Sequence, residues 1–130
     1  MTHYECPICK REPGSHSFFK IHQCDNIEYY YTSPAKASKY NDVEGIVAHY
    51  DGMLQEVPCG KKWYWIFDCT DFDIQHLMEY QIGIQLAKLI SSKYSENLQK
   101  ICIINPNWYI YSMVTLVWPF LTFSVREKII

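Results

Sequence analysis

The hydrophobic and polar positions of the chain fall into short apolar runs separated by stretches with helical spacing. Aromatic-rich runs at residues 17–23 and 28–32 flank a Cys-Asp-Asn turn and predict two short strands. Longer apolar runs at residues 61–68 and 100–105 predict two further strands. The third run has Trp and Phe on one face and Tyr and Ile on the other, which is typical of an interior strand covered by helices.

Apolar residues three and four positions apart predict helices between these strands. Asn41 and Glu44 have the spacing of a capping box, and the helix that they open ends before Pro58. A second, long helix is predicted over residues 74–94. Gly83 lies inside this helix and weakens it slightly, unless another element packs closely there.

The C-terminal segment is the most apolar and aromatic part of the chain, and prolines interrupt it. A helix is predicted over residues 107–118, capped by Asn107 and ended before Pro119, and a short last helix ends in Arg-Glu-Lys-Ile. A membrane-spanning helix needs about 20 apolar residues. Because Asn105, Pro106 and Pro119 break the run, we predict a helix, a proline hinge and a second helix rather than a membrane span.

The predicted order of elements, β-β-α-β-α-β-α-α, indicates an α/β domain. Such an order favours a mainly parallel sheet covered by helices, with right-handed crossovers. The chain of 130 residues has the length of one domain. Residues 1–16 are polar and rich in turn-forming residues, so we expect an arm in front of a single domain over residues 17–130.

Composition and charge narrow the function classes. With 48% hydrophobic and 16% aromatic residues, the chain is typical of a globular protein rather than a disordered one. A net charge of −2 without a basic cluster argues against nucleic-acid partners. The N-terminus has no apolar leader segment, so we expect a cytoplasmic protein whose six cysteines are free thiols.

The sequence carries no catalytic motif, and we predict that the protein is not an enzyme. It has no G-x-S-x-G, no H-E-x-x-H and no glycine-rich phosphate loop. Asp68, Asp71 and Asp73 follow a predicted strand, where α/β enzymes carry catalytic carboxylates. We interpret them as turn and cap residues, because Asp71 or Asp73 suits the start of the next helix. His76, in the first turn of that helix, is expected to be solvated.

One motif for metal binding lies near the N-terminus. Cys6 and Cys9 form a C-x-x-C pair, which suits zinc because two thiolates at that spacing can share one tetrahedral ion. A structural site needs a second pair, and the candidates are His22 and Cys24, although H-x-C is not a common zinc spacing. We therefore predict no cofactor and commit to no metal site, and we retain these four residues as weak zinc candidates.

Three segments resemble the CRAL-TRIO domain family over roughly residues 27–130. The strand, turn and helix of that family are matched by WYWIFDCTDFDIQHLMEYQ. Its most recognisable run is matched by YSENLQKICIINPNWYIYSMVTLVWPFLTFSVREKI. In that run, Tyr-x-(Glu/Asn)-x-Leu leads into a strand ending in Asn, then an aromatic helix, Pro-Phe-Leu and a helix ending in Lys-Ile. The segment EYYYTSPAKASKY resembles the start of the domain in a branch of the family that includes interaction scaffolds.

The resemblance implies a carrier of hydrophobic ligands with a mobile gate. In such carriers the helix after the fourth strand closes over an apolar pocket and opens at a membrane. Matched here, the gate is residues 108–118, with Pro119 and Phe120 at its hinge. The implied ligand is a lipid or other apolar small molecule, with peripheral membrane contact. The implied ligand-binding residues are Trp108, Tyr111, Met113, Val114, Val117, Trp118, Phe120 and Phe123.

Burial energy is the expected mechanism of the gate. We expect its large side chains to be buried in the closed state and to move into lipid in the open state, each being worth about 1.5–3 kcal/mol. The side chains expected to make this transfer are Trp108, Met113, Val117, Trp118 and Phe120.

The resemblance also implies an alternative function. Family members continue past the last matched residue with another strand and further helices, which complete the pocket and supply a basic contact to a lipid headgroup. We expect a C-terminally shortened domain, in which a second copy supplies the missing wall or no lipid is carried. The alternative is therefore a protein-interaction scaffold without ligand, either as a homodimer or bound to a small GTPase-type protein partner.

Overall fold

The computed structural model describes residues 5–130, so the first four residues of the predicted arm lie outside the described part. A four-stranded sheet has the order β1-β2-β3-β4. The strands are β1 (Phe19–Cys24), β2 (Ile27–Thr32), β3 (Lys62–Asp68) and β4 (Leu98–Ile104). β1 pairs with β2 in antiparallel orientation, whereas β2, β3 and β4 are parallel. The predicted α/β class with a mainly parallel sheet is confirmed.

Helices and tight turns connect these strands. The α-helices of the described residues are α1 (Pro7–Arg11), α2 (Val43–Leu54), α3 (Ile74–Met78), α4 (Tyr80–Leu89), α5 (Trp108–Val117) and α6 (Phe123–Arg126). Two 3-10 turns lie at Pro34–Lys36 and Trp118–Phe120, and a π-helical turn lies at Ile90–Tyr94. The predicted alternation of strands and helices is therefore present.

The helix boundaries differ from the predicted ones at two places. Asp42, rather than Asn41, caps α2, and its carboxylate accepts a hydrogen bond from Gly45 N at 3.1 Å. The long helix predicted over residues 74–94 is broken at Glu79, whose ψ of 45° lies outside the helical region. Apolar spacing continues across a break of one residue, so the pattern alone does not reveal it.

The main core lies between one face of the sheet and helices α2 and α4, which contact each other. Trp63 and Trp65 of β3 lie at its centre and are buried. Their indole N–H groups donate to Tyr94 O at 3.1 Å and to Thr32 Oγ1 at 2.9 Å. Both rings therefore bury a large apolar area without leaving an unpaired donor. On the opposite face of β3, Tyr64 stays half-buried.

The end of the chain extends the sheet beyond β4. Ile101 N donates to Lys128 O, and Ile130 N donates to Ile101 O, both at 2.9 Å. Ile103 N donates to Ile130 O at 3.2 Å. These bonds make a parallel bridge between Ile101 and Ile129, so the last residues cover the outer edge of β4.

The described part of the predicted arm packs against the domain. Ser38 N donates to Gly14 O, and Lys39 N donates to Ser15 O, both at 2.9 Å. Ser15 is fully buried, and its hydroxyl donates to Glu12 O at 2.6 Å. Hydrogen bonds of backbone groups hold this segment against the domain. Every residue type carries such groups, so the polar composition of the segment did not indicate the packing.

Candidate functional site

An apolar cavity of about 110 Å³ lies between the sheet, α4 and α5. The sheet and α4 line it with Trp65, Phe67, Ile101, Ile103, Ile82, Gly83, Leu86 and Ala87. α5 covers it with Ile110, Met113, Val114 and Val117. Among the described lining residues, Tyr40 carries the single hydroxyl group, and burial raises its pKa, so it stays neutral near pH 7. The cavity therefore offers a hydrocarbon surface without charge, as sites for apolar ligands do.

α5 packs directly on α4 at Gly83. A Cβ atom at this position would lie 2.9 Å from Met113 Sδ and 2.9 Å from Val117 Cγ1, which is closer than side-chain atoms tolerate. The glycine therefore lets the two helices approach and close the cavity. This contact supplies the close packing that justifies a glycine inside a helix.

Both ends of α5 are tied to neighbouring segments. At the N-terminus, Asn107 accepts a hydrogen bond from Ile110 N at 3.1 Å and donates to Phe72 O at 2.8 Å. At the C-terminus, the Arg126 guanidinium donates to Trp118 O at 2.8 Å and lies 5.2 Å from the centre of the Trp118 ring. α5 is thus held at its two ends, and its middle covers the cavity.

The structure divides the eight predicted ligand-binding residues into two groups. The residues that line the cavity are Met113, Val114 and Val117. The residues exposed on the surface are Trp108, Tyr111, Trp118, Phe120 and Phe123. The expectation that Trp108, Trp118 and Phe120 are buried in the closed state is wrong, because a helix can turn only one stripe of side chains towards the cavity. The role of all eight residues in binding remains a prediction.

An aromatic stripe runs along the outer face of α5. Trp108, Tyr111, Thr115 and Trp118 recur at spacings of three and four residues, so they share one side of the helix. Trp108 is 76% exposed and Tyr111 is 60% exposed. Indole and phenol rings suit a membrane–water interface, because each combines an apolar body with one polar group.

The carboxylates after β3 have structural partners. Asp68 accepts hydrogen bonds from Tyr31 Oη at 2.5 Å, Thr70 Oγ1 at 2.7 Å and Asn105 Nδ2 at 3.1 Å. Burial opposes ionisation, but these donors outweigh it and hold the pKa of Asp68 well below its usual range. Asp73 caps α3 with its side chain, as the sequence predicts. Asp68 is therefore an acceptor that is ionised near pH 7 and joins the ends of β2, β3 and β4.

His76 is buried, and the expectation of a solvated side chain is wrong. It is 6% exposed, and its ring lies 5.0 Å from the Tyr40 ring and 5.2 Å from the Phe72 ring. His76 Nδ1 accepts a hydrogen bond from Asp73 N at 2.9 Å, which completes a capping box. Burial lowers the pKa of His76, so the neutral ring is the stable form in this position.

Two of the four weak zinc candidates lie apart from the C-x-x-C pair. His22 and Cys24 belong to β1, whose residues are all exposed. The His22 ring lies beside Tyr29, and the Cys24 thiol lies 3.9 Å from Asp25 Oδ2. The prediction that His22 and Cys24 complete a zinc site with Cys6 and Cys9 is therefore wrong, because these two side chains lie elsewhere in the fold.

The cysteine pair instead meets two histidines that the sequence analysis missed. Cys6, Cys9, His16 and His49 each offer one ligand atom, and these atoms all lie within 4.8 Å of one another. His49 was overlooked because it lies inside a helix, next to Tyr50. The available signal was a histidine on the apolar side of α2, where a buried polar side chain requires a partner.

Comparison with known proteins identifies one family. A model of the CRAL/TRIO domain matches residues 23–130. A comparison with curated proteins gave no significant match. None of the helices in residues 5–130 combines the length and the apolar character that a membrane crossing requires.

Proposed function

The chain belongs to the CRAL/TRIO domain family, whose members generally bind lipophilic molecules without catalysis. We propose that it binds a lipid or other apolar small molecule between the sheet, α4 and α5. The observation that carries this proposal is the apolar cavity beneath α5. Its lining presents no charged group among the described residues, and a polar ligand would lose its hydration there without compensation. The function is binding, and no residue of the cavity is assigned a chemical step.

Ligand entry requires α5 to move outward. Binding pockets for small molecules usually have volumes of about 300–1,000 Å³, and the cavity measures about 110 Å³. The other walls of the cavity belong to the main core. α5 packs on α4 at Gly83 and is therefore the wall that moves. The 3-10 turn Trp118–Phe120, which contains Pro119, lies at one end of α5 and supplies a hinge.

The inner face of α5 determines when the gate opens. Moving the buried Met113 into water would cost roughly 1.5–3 kcal/mol, and moving the half-buried Val114 and Val117 would cost less for each side chain. A ligand or the acyl region of a bilayer would cover the same side chains and remove most of that cost. The exposed ring of Trp108 on the outer face then contacts the membrane surface, and the proposal includes this peripheral contact.

Filling the cavity tests the proposal. Val114→Trp places an indole in the cavity, whereas Thr115→Trp places the same ring on the exposed outer face of α5 and serves as a matched control. Native mass spectrometry, followed by organic extraction, should find a near-stoichiometric apolar molecule in the parent and in the control, and little in Val114→Trp. Thermal unfolding checks that both variants fold. An empty parent chain, or full ligand content in folded Val114→Trp, would rule out this site.

The alternative function is a protein-interaction scaffold without ligand. The observation in its favour is β1, an edge strand whose six residues are all exposed, including Phe19 and Ile21. Such an edge can pair with a strand of another chain, in a homodimer or with a protein partner of the small GTPase type. Sedimentation equilibrium combined with the ligand analysis above distinguishes the two functions, because an empty dimer favours the scaffold and a ligand-loaded monomer favours the carrier.

A further inference from the structure

Four soft ligand atoms converge where the N-terminal segment meets α2. Cys6 directly precedes α1, Cys9 lies within α1, and His49 lies in α2. Cys6 Sγ lies 3.5 Å from His16 Nδ1, and Cys9 Sγ lies 3.6 Å from the same nitrogen. Cys9 Sγ lies 3.7 Å from His49 Nδ1. Residues 40 positions apart in the chain therefore present their ligand atoms to one point.

These separations agree with tetrahedral coordination. An ion bonded to sulfur at about 2.3 Å and to nitrogen at about 2.0–2.1 Å, at the tetrahedral angle, holds the two ligand atoms about 3.5–3.6 Å apart. The three observed sulfur–nitrogen separations lie between 3.5 and 3.7 Å. Three of the six ligand separations therefore have tetrahedral length already, and since all four atoms lie within 4.8 Å of one another, side-chain shifts of about 1 Å would enclose an ion.

Both histidines are oriented by partners on the far side of their rings. His16 Nε2 lies 3.2 Å from Asp42 Oδ2, and His49 Nε2 lies 2.7 Å from Phe18 O. A carboxylate and a carbonyl can only accept, so each Nε2 carries the proton and each Nδ1 directs its lone pair towards the cysteines. Histidine ligands in metal sites are usually held by a carboxylate or carbonyl in this way.

Close packing at Gly45 of α2 supports this arrangement of side chains. A Cβ atom on Gly45 would lie 2.0 Å from Asp42 Oδ2 and 2.7 Å from Ile8 Cδ1. Glycine at this position therefore permits both the carboxylate behind His16 and the side chain between the two cysteines to pack on α2. The His16 side chain is fully buried.

We propose that Cys6, Cys9, His16 and His49 bind one zinc ion in a closed structural site. Two thiolates and two imidazoles form a ligand set typical of zinc and unsuited to magnesium or calcium, which prefer oxygen. Four protein ligands leave no open position for a substrate, so the ion has a structural role. It joins the N-terminal segment to α2, and through the His49 Nε2 bond to Phe18 O it is connected to the core, where the Phe18 ring stacks on Tyr50. This site is independent of the ligand cavity.

Metal content is the first test. The full chain is produced with zinc in the medium, purified without chelator and measured by native mass spectrometry and elemental analysis. We expect about one zinc per chain, and a small fraction of that in Cys6→Ser and in Cys9→Ser. The matched controls are Cys24→Ser and Cys59→Ser, which alter exposed cysteines and should retain the metal.

Cobalt replaces zinc in a second test that identifies the ligands. The parent should show the intense visible bands of tetrahedral cobalt with a thiolate charge-transfer band in the near ultraviolet. His16→Ala should weaken or shift these bands, whereas His22→Ala, on β1, should leave them unchanged. If the variants do not fold, the spectrum of the parent still decides, since weak octahedral bands without charge transfer would overturn the assignment.

Chelation tests the structural role. Removal of the ion should lower the melting temperature by roughly 10 °C or more, because an ion that binds the folded state stabilises it. The assignment is overturned if folded parent chain stays well below one zinc after incubation with the metal, since the four residues then form a metal-free cluster. Equal zinc loss in the matched controls, or an unchanged melting temperature after complete removal, would also contradict it.

Discussion

At the scale of single residues, several polar side chains of the interior are held by particular partners. Asp68 is the clearest case, since three side chains from different parts of the chain donate to its carboxylate. Its position at the end of β3 is where an enzyme would place a catalytic group. A carboxylate with its acceptor sites occupied by donors is instead suited to joining strand ends.

The depressed pKa of Asp68 predicts a pH-dependent stability. A group whose pKa is lower in the folded state stabilises the protein above its unfolded pKa of about 3.9, and the contribution is lost as the pH falls towards the folded value. Asp68→Asn should therefore lower the free energy of unfolding by about 1–3 kcal/mol at pH 7, and by less at pH 3. Urea unfolding at both values measures this difference.

The control for this measurement is Asp71→Asn. Asp71 is exposed and has a φ of 61°, a backbone conformation that asparagine also adopts. Its replacement should change the stability little at either pH. An Asp68→Asn effect that is the same at pH 7 and pH 3 would show that the ionised carboxylate is not the stabilising form.

At the scale of elements, the contact between α4 and α5 determines how tightly the cavity is covered. Alanine is ordinarily a better helix residue than glycine by about 1 kcal/mol, so propensity alone favours replacing Gly83. The structure opposes this, because the added methyl group would meet Met113 and Val117 at 2.9 Å. Met113 can adapt, whereas the β-branched Val117 cannot easily change its rotamer.

Gly83→Ala should therefore loosen α5 despite its higher helix propensity. We expect a loss of about 1–3 kcal/mol in the free energy of unfolding from overpacking, and faster hydrogen exchange of the α5 amides. Gln81→Ala, on the exposed side of the same helix, is the matched control and should leave α5 unchanged. Increased stability of Gly83→Ala, with unaltered exchange in α5, would show that the helices do not depend on this contact.

At the scale of the whole molecule, the two faces of α5 have different environments. Its inner face covers the cavity, and its outer face presents Trp108 and Tyr111 to solvent. Family membership indicates binding of lipophilic small molecules, and the proposed function places them under the inner face. The same proposal assigns bilayer contact to the outer face.

Replacing the exposed rings should weaken membrane contact without altering the fold. The double variant Trp108→Ser with Tyr111→Ser should bind vesicles about tenfold less well or worse, since the two buried rings together contribute at least about 1.4 kcal/mol. Ile21→Ser, on β1 at the edge of the sheet, removes a comparably exposed apolar side chain and should retain binding. Co-sedimentation with vesicles measures both. Equal binding by the double variant and the parent would remove the outer face from the mechanism.

The sequence by itself determined most elements of this protein and their order, although not α1 or the break at Glu79. Alternating and helical spacings arise between residues that are close in the chain, so the four strands and the α5 segment could be recognised without a structure. The same local signals narrowed the cap of α3 to Asp71 or Asp73. The motif run around residues 94–130 identified the family for the same reason, because its residues are adjacent in the chain.

Only the tertiary structure decided which distant residues meet. It placed His49 beside Cys9, 40 positions earlier, and it buried His76 between two rings. It also selected which stripe of α5 covers the cavity, although Trp108 and Val117 both count as hydrophobic positions in the sequence pattern. The physical reason is that convergence depends on packing summed over the whole chain, whereas periodicity describes only neighbouring positions.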